Sequence, residues 1–216
     1  MIVKQKNINR FIKNKMLPLS IKKINMIEPF SINIVCLGSW NRKIFTPNWV
    51  STTLFNLPKG KEFQGVVNPV ELEFGFLNQE LLLLPKDNSL EIKLETINSK
   101  TIKYAPELLN KILTLLPHTP IKGIGINIRF DVSKDSEYSL ISSLKSSTCS
   151  YNDFSLKQVK FVNSTKDYVI NLIADIFDDK YQINFNFHYA SVMSFDNQIV
   201  ENHINEAKKI LNYGNL

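Results

Sequence analysis

The residues that could carry catalysis in this sequence are few and widely separated. The three histidines, His118, His188 and His203, form neither an H-x-H nor an H-E-x-x-H pair, so a zinc site would need ligands from distant parts of the fold. The sequence has no G-x-S-x-G serine, no Walker A loop and no G-x-G-x-x-G loop. It therefore predicts no catalytic residue and no cofactor, and it favours a protein that is not an enzyme.

Three acidic residues, Asp175, Asp178 and Asp179, lie close enough in the sequence to coordinate a hard cation. Asp178 and Asp179 are also typical of a tight turn between two antiparallel strands. The turn is the favoured interpretation, and no metal site is predicted.

Polar residues recur at every second position in two segments that otherwise alternate with apolar residues. They are Asn184, Asn186 and His188 in one predicted strand, and Asn127, Arg129 and Asp131 in another. If both strands belong to one sheet, these side chains share the face that the helices leave uncovered. Amides, an arginine and a histidine in a row can bind a polar ligand or a peptide, or hold phosphates. A solvated outer face has the same pattern, so both interpretations stay open.

The stretch GSWNRKIFTPNWV, residues 38–50, contains both tryptophans of the chain. In the favoured interpretation it is a corner between a strand and a helix, with Trp40, Phe45 and Trp49 as core anchors and Trp49 largely buried. Thr46 is the expected N-cap, because Pro47 suits the first turn of a helix. In the alternative interpretation it is a ligand site, because the Asn41–Arg42–Lys43 run places two cations beside an indole.

The positive charge is concentrated in residues 1–27, which form a predicted basic arm. The arm holds seven of the 26 Lys and Arg residues and no acid, which leaves 19 cations against 20 acids in the rest of the chain. The seven are Lys4, Lys6, Arg10, Lys13, Lys15, Lys22 and Lys23. Such an arm could bind nucleic acid or an acidic partner. It could equally be a solvated terminus, or a short amphipathic helix that docks through Ile8, Phe11 and Ile12.

The remaining chain, 28–216, is predicted to be one α+β domain. The whole sequence is 44% hydrophobic, which is enough to form a core. The hydrophobic periodicity predicts strand, helix, three strands and helix, and then the same order again, giving pseudo-repeats 28–117 and 118–216. The last helix of the first repeat is expected to open at Pro106, and Ser133 is expected to cap the first helix of the second.

This order predicts a mainly antiparallel, curved sheet with helices on one face, built from a duplicated β-α-β-β-β-α unit. The architecture would be that of the TATA-binding saddle, by analogy only. Two glycines, Gly123 and Gly125, lie within a predicted strand, where they should permit close packing of neighbouring side chains.

Residues 38–50, together with LLPHTPIKGIGINIRF at 115–130, resemble a widespread bacterial protein family that has no established activity. The family motifs are G-x-[FW]-N-x-x-[IL]-F-x-P-x-W and H-T-P-[IV]-x-[AG]-[IL]-G-[IL]-N. The matching positions here are Gly38, Trp40, Asn41, Ile44, Phe45, Pro47, Trp49, His118, Thr119, Pro120, Gly125 and Asn127. Arg42 stands where the family has a proline. The resemblance implies that the two motifs are neighbours in the fold, and it suggests, by association only, a link to bacterial defence or mobile elements.

The leading functional hypothesis is a non-catalytic interaction subunit of a bacterial multi-protein assembly. Its basic arm and polar sheet face would contact a partner protein or nucleic acid. The alternative is a small-ligand or enzymatic site lined by Trp40, Asn41, Arg42, His118, Asn127 and Arg129. A buried His118 in a deep pocket would favour the alternative, and a flat face would favour the first hypothesis.

The expected location is the bacterial cytoplasm. No apolar run approaches the roughly 20 residues of a membrane span. The two cysteines, Cys36 and Cys149, demand no oxidising compartment, and buried thiols are the expectation for both. The sequence does not define the oligomeric state.

Overall fold

A nine-stranded antiparallel sheet forms the frame of the protein in the computed structural model. The structure describes residues 27–58, 60–61, 63–68, 73–147, 155–191 and 194–212. Positions 1–26 of the basic arm, and Cys149, therefore lie outside the described residues. The strands are β1 (Ser31–Gly38), β2 (Gln64–Asn68), β3 (Glu73–Asn78), β4 (Leu81–Pro85), β5 (Ser89–Leu94), β6 (Ile121–Ser133), β7 (Gln158–Ser164), β8 (Val169–Ile176) and β9 (Lys180–Tyr189).

Four helices accompany the sheet in the described part of the chain: α1 (Pro47–Trp49), α2 (Ser99–Leu115), α3 (Ser139–Ser147) and α4 (Ile199–Asn212). A 3₁₀ turn, Arg42–Ile44, precedes α1, and a π-helical turn, Val50–Leu54, continues it. The Thr46 hydroxyl accepts the Trp49 backbone N–H at 3.3 Å, so the predicted N-cap is confirmed. Among the described residues, no helix combines the length and the apolar character that crossing a membrane requires.

The hydrophobic core lies between one face of the sheet and the helices. Every second residue of β1, Ile32, Ile34 and Cys36, is buried, and the same alternation continues through β6 and β9. These residues share a core with the apolar faces of α2 and α4. Each fully buried aliphatic or aromatic side chain contributes about 1.5–3 kcal/mol. The α+β class and the antiparallel sheet are thus as predicted.

The start of α2 differs from the prediction, because Pro106 lies inside the helix rather than opening it. A capping box at Asn98 fixes the true start. The Asn98 side-chain oxygen accepts the backbone N–H of Thr101 at 3.0 Å, and the Thr101 hydroxyl accepts the N–H of Asn98 at 3.1 Å. The capping box satisfies two backbone N–H groups at the start of α2, which stabilises the helix. Pro106 lacks an N–H, so it removes one backbone hydrogen bond from the helix without ending it.

Two further elements differ from the prediction. Ser133 does not cap a helix: it is the last residue of β6, pairs with Lys180, and α3 begins only at Ser139. Strand β2 was not predicted, because Gln64–Asn68 is short and contains a glycine that weakens the strand pattern. Strand β2 forms one edge of the sheet and pairs with β3.

The strand order is β2-β3-β4-β5-β1-β6-β9-β8-β7. The first strand of each predicted repeat, β1 and β6, lies at the centre, and the two strands pair with each other. The strands that end each sheet segment, β5 and β9, flank this central pair. The polar positions of β6 and β9 are therefore brought together at the middle of the sheet.

Candidate functional site

The sheet face opposite the helices carries most of the predicted polar residues and is called here the open face. Its central side chains are half-buried or exposed, apart from the glycines. They are Asn33 and Val35 on β1, Gly123, Gly125, Asn127, Arg129 and Asp131 on β6, Gln182, Asn184, Asn186 and His188 on β9, and Val169, Asn171 and Ile173 on β8.

Four asparagines cross the open face at one register level, and we call them the asparagine row. Asn33 pairs with Asn127, Asn127 with Asn186, and Asn186 with Asn171. The Asn186 amide nitrogen donates to the Asn127 carboxamide oxygen at 2.9 Å, and that of Asn171 donates to Asn186 at 3.3 Å. Asn33 donates to the Glu91 carboxylate. Asparagine is depleted in strands, so four at one level are unusual.

Asn127 and Asn186 were predicted as site residues, whereas Asn33 and Asn171 were not. Both missed residues stand in the same alternating pattern, between Ile32 and Ile34 in β1 and between Ile170 and Leu172 in β8. That signal could have found them. What the sequence lacked was the strand order and the pairing register, which together show that the four positions are aligned.

Glycines in β6 allow the β9 side chains to lie across the strand. A Cβ at Gly125 would stand 2.7 Å from Asn186 Nδ2, and one at Gly123 would stand 2.8 Å from His188 Cε1. Both distances are too short for a real side chain, so the prediction that these glycines permit close packing is confirmed. They fix how Asn186 and His188 are presented on the open face.

Arg129 and Asn184 form the next level of the open face, two residues from the asparagine row. They are register partners, and Arg129 is exposed and makes no ion pair with the described residues. The Asn184 Oδ1 atom is buried without a hydrogen-bond partner in the described part of the chain. A buried acceptor left unpaired costs about 1–3 kcal/mol.

Two cations of the open face are neutralised within it, whereas Lys160 of β7, the register partner of Ile173, is exposed and forms no ion pair with the described residues. Lys180 Nζ lies 2.6 Å from Asp131 Oδ2, and Lys93 Nζ lies 3.0 Å from Glu95 Oε1. The open face is therefore a mixed polar and apolar surface rather than a strongly basic one.

The first motif forms the predicted corner after β1. Trp40 is only 4% exposed, and its indole N–H donates to the Cys36 carbonyl at 3.0 Å. Its backbone N–H donates to the Asp87 carbonyl at 2.9 Å, which ties the corner to the β4–β5 turn. The prediction that Trp49 is largely buried is wrong, because Trp49 is only partly buried and packs in an edge arrangement with the Phe45 ring.

Arg42 and Lys43 line a cleft of about 410 Å³ on this corner, together with Phe45, Thr46, Pro47 and Phe74. The Arg42 guanidinium carbon lies 5.5 Å from the centre of the Phe74 ring, a cation–π distance. One guanidinium nitrogen, Nη1, is 3.7 Å from Asp87 Oδ2. The exposed Asn41 caps the 3₁₀ turn by accepting the Lys43 N–H at 3.1 Å.

The second motif lies beside the first, as the family resemblance implied. The Ser39 backbone N–H donates to the Pro120 carbonyl at 3.1 Å. A cleft of about 330 Å³ runs between the motifs and includes Asn41 and His118 in its lining. His118 is exposed rather than buried.

The structure does not unite the residues of the alternative site. Arg42 and His118 line different clefts. Arg129 pairs with Ser31 at the start of β1, whereas the corner with Trp40 follows the other end of that strand. Asn127 lies on the open face, while Trp40 belongs to the core on the helix side.

A buried polar network on the helix side was not among the predicted site residues. His203 of α4 is 2% exposed and lies 2.6 Å from the Tyr189 hydroxyl through Nε2. Its Nδ1 lies 3.2 Å from Glu206 Oε2, which also accepts the Tyr168 hydroxyl at 2.8 Å. Because the carboxylate only accepts, Nδ1 carries the proton and Nε2 accepts from Tyr189.

Burial dominates the titration of this network. It lowers the pKa of His203 below 6.5, although Glu206 acts in the opposite direction. It also raises the pKa of Tyr168 to about 12, with the Glu206 hydrogen bond adding to the effect. At neutral pH His203 is therefore neutral and Tyr168 is protonated, which is a structural arrangement rather than an activated nucleophile.

The remaining candidates for chemistry are inert or dispersed. Burial raises the pKa of the Cys36 thiol to about 12, so the predicted buried thiol is confirmed. Asp178 and Asp179 lie in the β8–β9 turn. Within the described ranges, no three His, Cys, Asp or Glu side chains are grouped so that they could hold a metal ion.

No protein-family model matches this chain, and a search of curated proteins gives no match either.

Proposed function

We propose that this protein is a non-catalytic interaction subunit of a bacterial multi-protein assembly, and that its open face binds a partner protein. The observation that carries the proposal is the asparagine row. It places hydrogen-bonding groups at the centre of a half-exposed sheet. Its amides are only partly used: Asn127 accepts from Asn186, while no donor bond from its own amide nitrogen is found within the described residues.

The surroundings of the row support a protein partner over nucleic acid. Half-buried Val35, Val169 and Ile173 lie among the polar side chains, as in the mixed surfaces of protein interfaces. Phosphate binding would favour uncompensated cations. On the open face, Lys180 and Lys93 are paired with acids of the same face. Arg129 and Lys160 form no ion pair with the described residues, but they lie on β6 and β7, which β9 and β8 separate, so they do not form a basic cluster.

We also infer that the sheet consists of two copies of a β-α-β-β-β-α unit, in a saddle like that of the TATA-binding protein. The strand order supports this inference. From the central β1–β6 pair outwards, β5, β4 and β3 on one side correspond to β9, β8 and β7 on the other, with β2 as an added edge. The juxtaposed motifs at Ser39 and Pro120 fit the proposed relation to the bacterial family.

Site-specific photo-cross-linking tests the function. A photoreactive residue replaces Val169 on the open face, and in a control it replaces Lys103, an exposed residue of α2 on the helix side. We expect one discrete protein adduct from position 169 in the native host and none from position 103. The same adducts from both positions, or an adduct to nucleic acid, would contradict the proposal.

The basic arm is proposed to contribute charge to the assembly, and its deletion tests whether it binds DNA. Seven cations that each neutralise a phosphate would give a log–log salt slope of up to about −6, from roughly −0.9 per phosphate. We expect weak binding of a labelled duplex by the full chain and by the chain lacking 1–26, at both low and high salt. A steep slope that disappears on deletion would instead assign the arm to nucleic acid.

A further inference from the structure

The Arg42 cleft lies on the opposite side of the sheet from the open face. Its Phe74 wall belongs to β3 and shares a face with Phe76, which is 2% exposed and part of the core. Phe45, 1% exposed, is also a core residue. The cleft is thus a second surface, built by the first sequence motif and independent of the asparagine row.

The chemistry of the cleft combines two cations with apolar walls. The Arg42 side chain is 35% exposed, is held over the Phe74 ring, and its Nε atom is buried without a hydrogen-bond partner among the described residues. Lys43 is exposed and forms no ion pair in the described part of the chain. An anionic group in the cleft would therefore gain two positively charged partners.

Asp87 shows that a carboxylate can reach this position. Its Oδ2 lies 3.7 Å from Arg42 Nη1, too far for a good hydrogen bond, and its side chain is 76% exposed. The pair is therefore weak, and a better-placed carboxylate can displace Asp87.

The apolar part of the surface continues from the cleft to the edge of the sheet. Phe74 pairs with Val67 of β2, which is 71% exposed, and β2 is the terminal strand. Phosphate sites generally use several convergent backbone N–H groups, whereas this cleft offers two side-chain cations between aromatic and proline walls. Its charge and its apolar walls together complement a carboxylate next to an apolar side chain.

We propose that the Arg42 cleft binds an acidic and apolar peptide segment of a partner protein, with a carboxylate on Arg42 and Lys43 and an apolar side chain against Phe74 and Val67. The inference rests on the proposed function as a protein-binding subunit, but it concerns a different surface. A lack of cross-linking at position 169 would contradict only the proposal for the open face, and a lack of peptide binding would contradict only the proposal for the cleft.

The two tryptophans of the chain provide the readout. Both pack on Phe45 of the cleft, with ring centres 6.2 Å away for Trp40 and 5.4 Å for Trp49. Intrinsic fluorescence is titrated with a blocked hexapeptide of alternating leucine and glutamate. The matched probes are the same peptide with glutamine in place of glutamate, and inorganic phosphate. We expect a saturable change with the acidic peptide only.

Variants locate the binding. Arg42→Gln should weaken the acidic peptide about tenfold, roughly the value of a hydrogen bond to a charged group. Lys43→Gln, an exposed change that leaves folding intact, should weaken it several-fold. Asp87→Asn removes the internal competitor and should tighten binding about two- to fivefold, the range of an exposed ion pair. Lys103→Gln, an exposed cation on α2, should change nothing.

Several results would overturn the inference. Unchanged affinity in Arg42→Gln and Lys43→Gln would place the peptide elsewhere, for example on the basic arm. An equal response to the glutamine peptide would show that binding does not depend on a carboxylate. An equal response to phosphate would show that the cleft binds anions in general. No response of the wild-type chain would end the proposal outright.

Discussion

Two hydrogen-bonded networks lie on opposite faces of the sheet at strand β9, and they differ in burial and completeness. On the helix side, His203 has both ring nitrogens paired, to Tyr189 and to Glu206, and is stacked 3.9 Å from the Phe187 ring. On the open face, Asn171 and Asn186 are half-buried, and the nearby Asn184 oxygen has no partner among the described residues.

This difference distinguishes polar groups that stabilise the fold from polar groups that are available to bind a partner. A polar group that is buried and fully paired stabilises one arrangement of the core, and removing one member leaves another unpaired. A half-exposed amide exchanges its spare bonds with water at little cost and remains available to a partner. Substitutions in the buried His203 network should therefore change stability, whereas those in the asparagine row should change binding.

The largest effect is expected for Trp40→Ala on the helix side. Trp40 is 4% exposed and also loses its indole hydrogen bond to Cys36, so the free energy of unfolding should fall by about 4 kcal/mol. Trp49→Ala should cost only about 1–2 kcal/mol, because Trp49 is partly buried. Urea denaturation of both variants measures the difference. Equal costs would show that exposure does not rank the two anchors.

His203→Ala should lower the free energy of unfolding by about 3 kcal/mol. The change removes a stacked ring and leaves the buried Tyr189 hydroxyl without its acceptor. The matched variant Asn186→Ala removes two open-face hydrogen bonds and should cost about 1 kcal/mol. If Asn186→Ala proves the more costly change, the asparagine row is a structural element and the comparison fails.

The two networks should also differ in pH dependence. Burial lowers the pKa of His203 in the folded protein below 6.5, so the unfolded chain binds a proton first as the pH falls. The stability that neutral His203 contributes is present above pH 6.5 and is lost below it, by at most about 1.4 kcal/mol per pH unit. Unfolding at pH 7.5 and 5.5 should show a smaller loss in His203→Gln than in the wild type. Identical losses would mean that His203 does not carry the effect.

Much of the architecture could be predicted from the sequence because it depends on local periodicity. Alternation placed β1, β6 and β9 correctly, and the same pattern assigned Asn127, Asn186 and His188 to a shared face. The starts of α2 and α3 could not be placed. For α2, Pro106 is the more obvious start signal in the sequence, but the helix begins after the Asn98 capping box. For α3, Ser133 is the last residue of β6 and pairs with Lys180 instead of capping the helix.

The candidate site was predicted less completely, because it depends on long-range neighbours. Asn33 and Asn171 join the row only through the strand order. Arg42 is oriented by Phe74 and Asp87, which lie 32 and 45 positions further along the chain and have no sequence signal that links them to it. The buried His203 has a local partner in Glu206, three residues further along α4, but Tyr189 is brought to it only by the packing of α4 on the sheet.

The smallest effect on stability is expected for Gly125→Ala, which tests the open face most directly. The new Cβ would stand 2.7 Å from Asn186 Nδ2, the end of a side chain that can rotate away. The fold should therefore lose less than about 1 kcal/mol, while the Asn186–Asn127 hydrogen bond breaks and the row is interrupted at its centre. Unfolding midpoints measure the first effect, and cross-linking yield from position 169 measures the second. Gly65→Ala, where no atom lies within 4 Å of the added Cβ, is the control and should leave cross-linking unchanged. A full yield of adduct in Gly125→Ala would show that the partner does not contact the asparagine row. A loss of yield at nearly unchanged stability would show that the row takes part in binding.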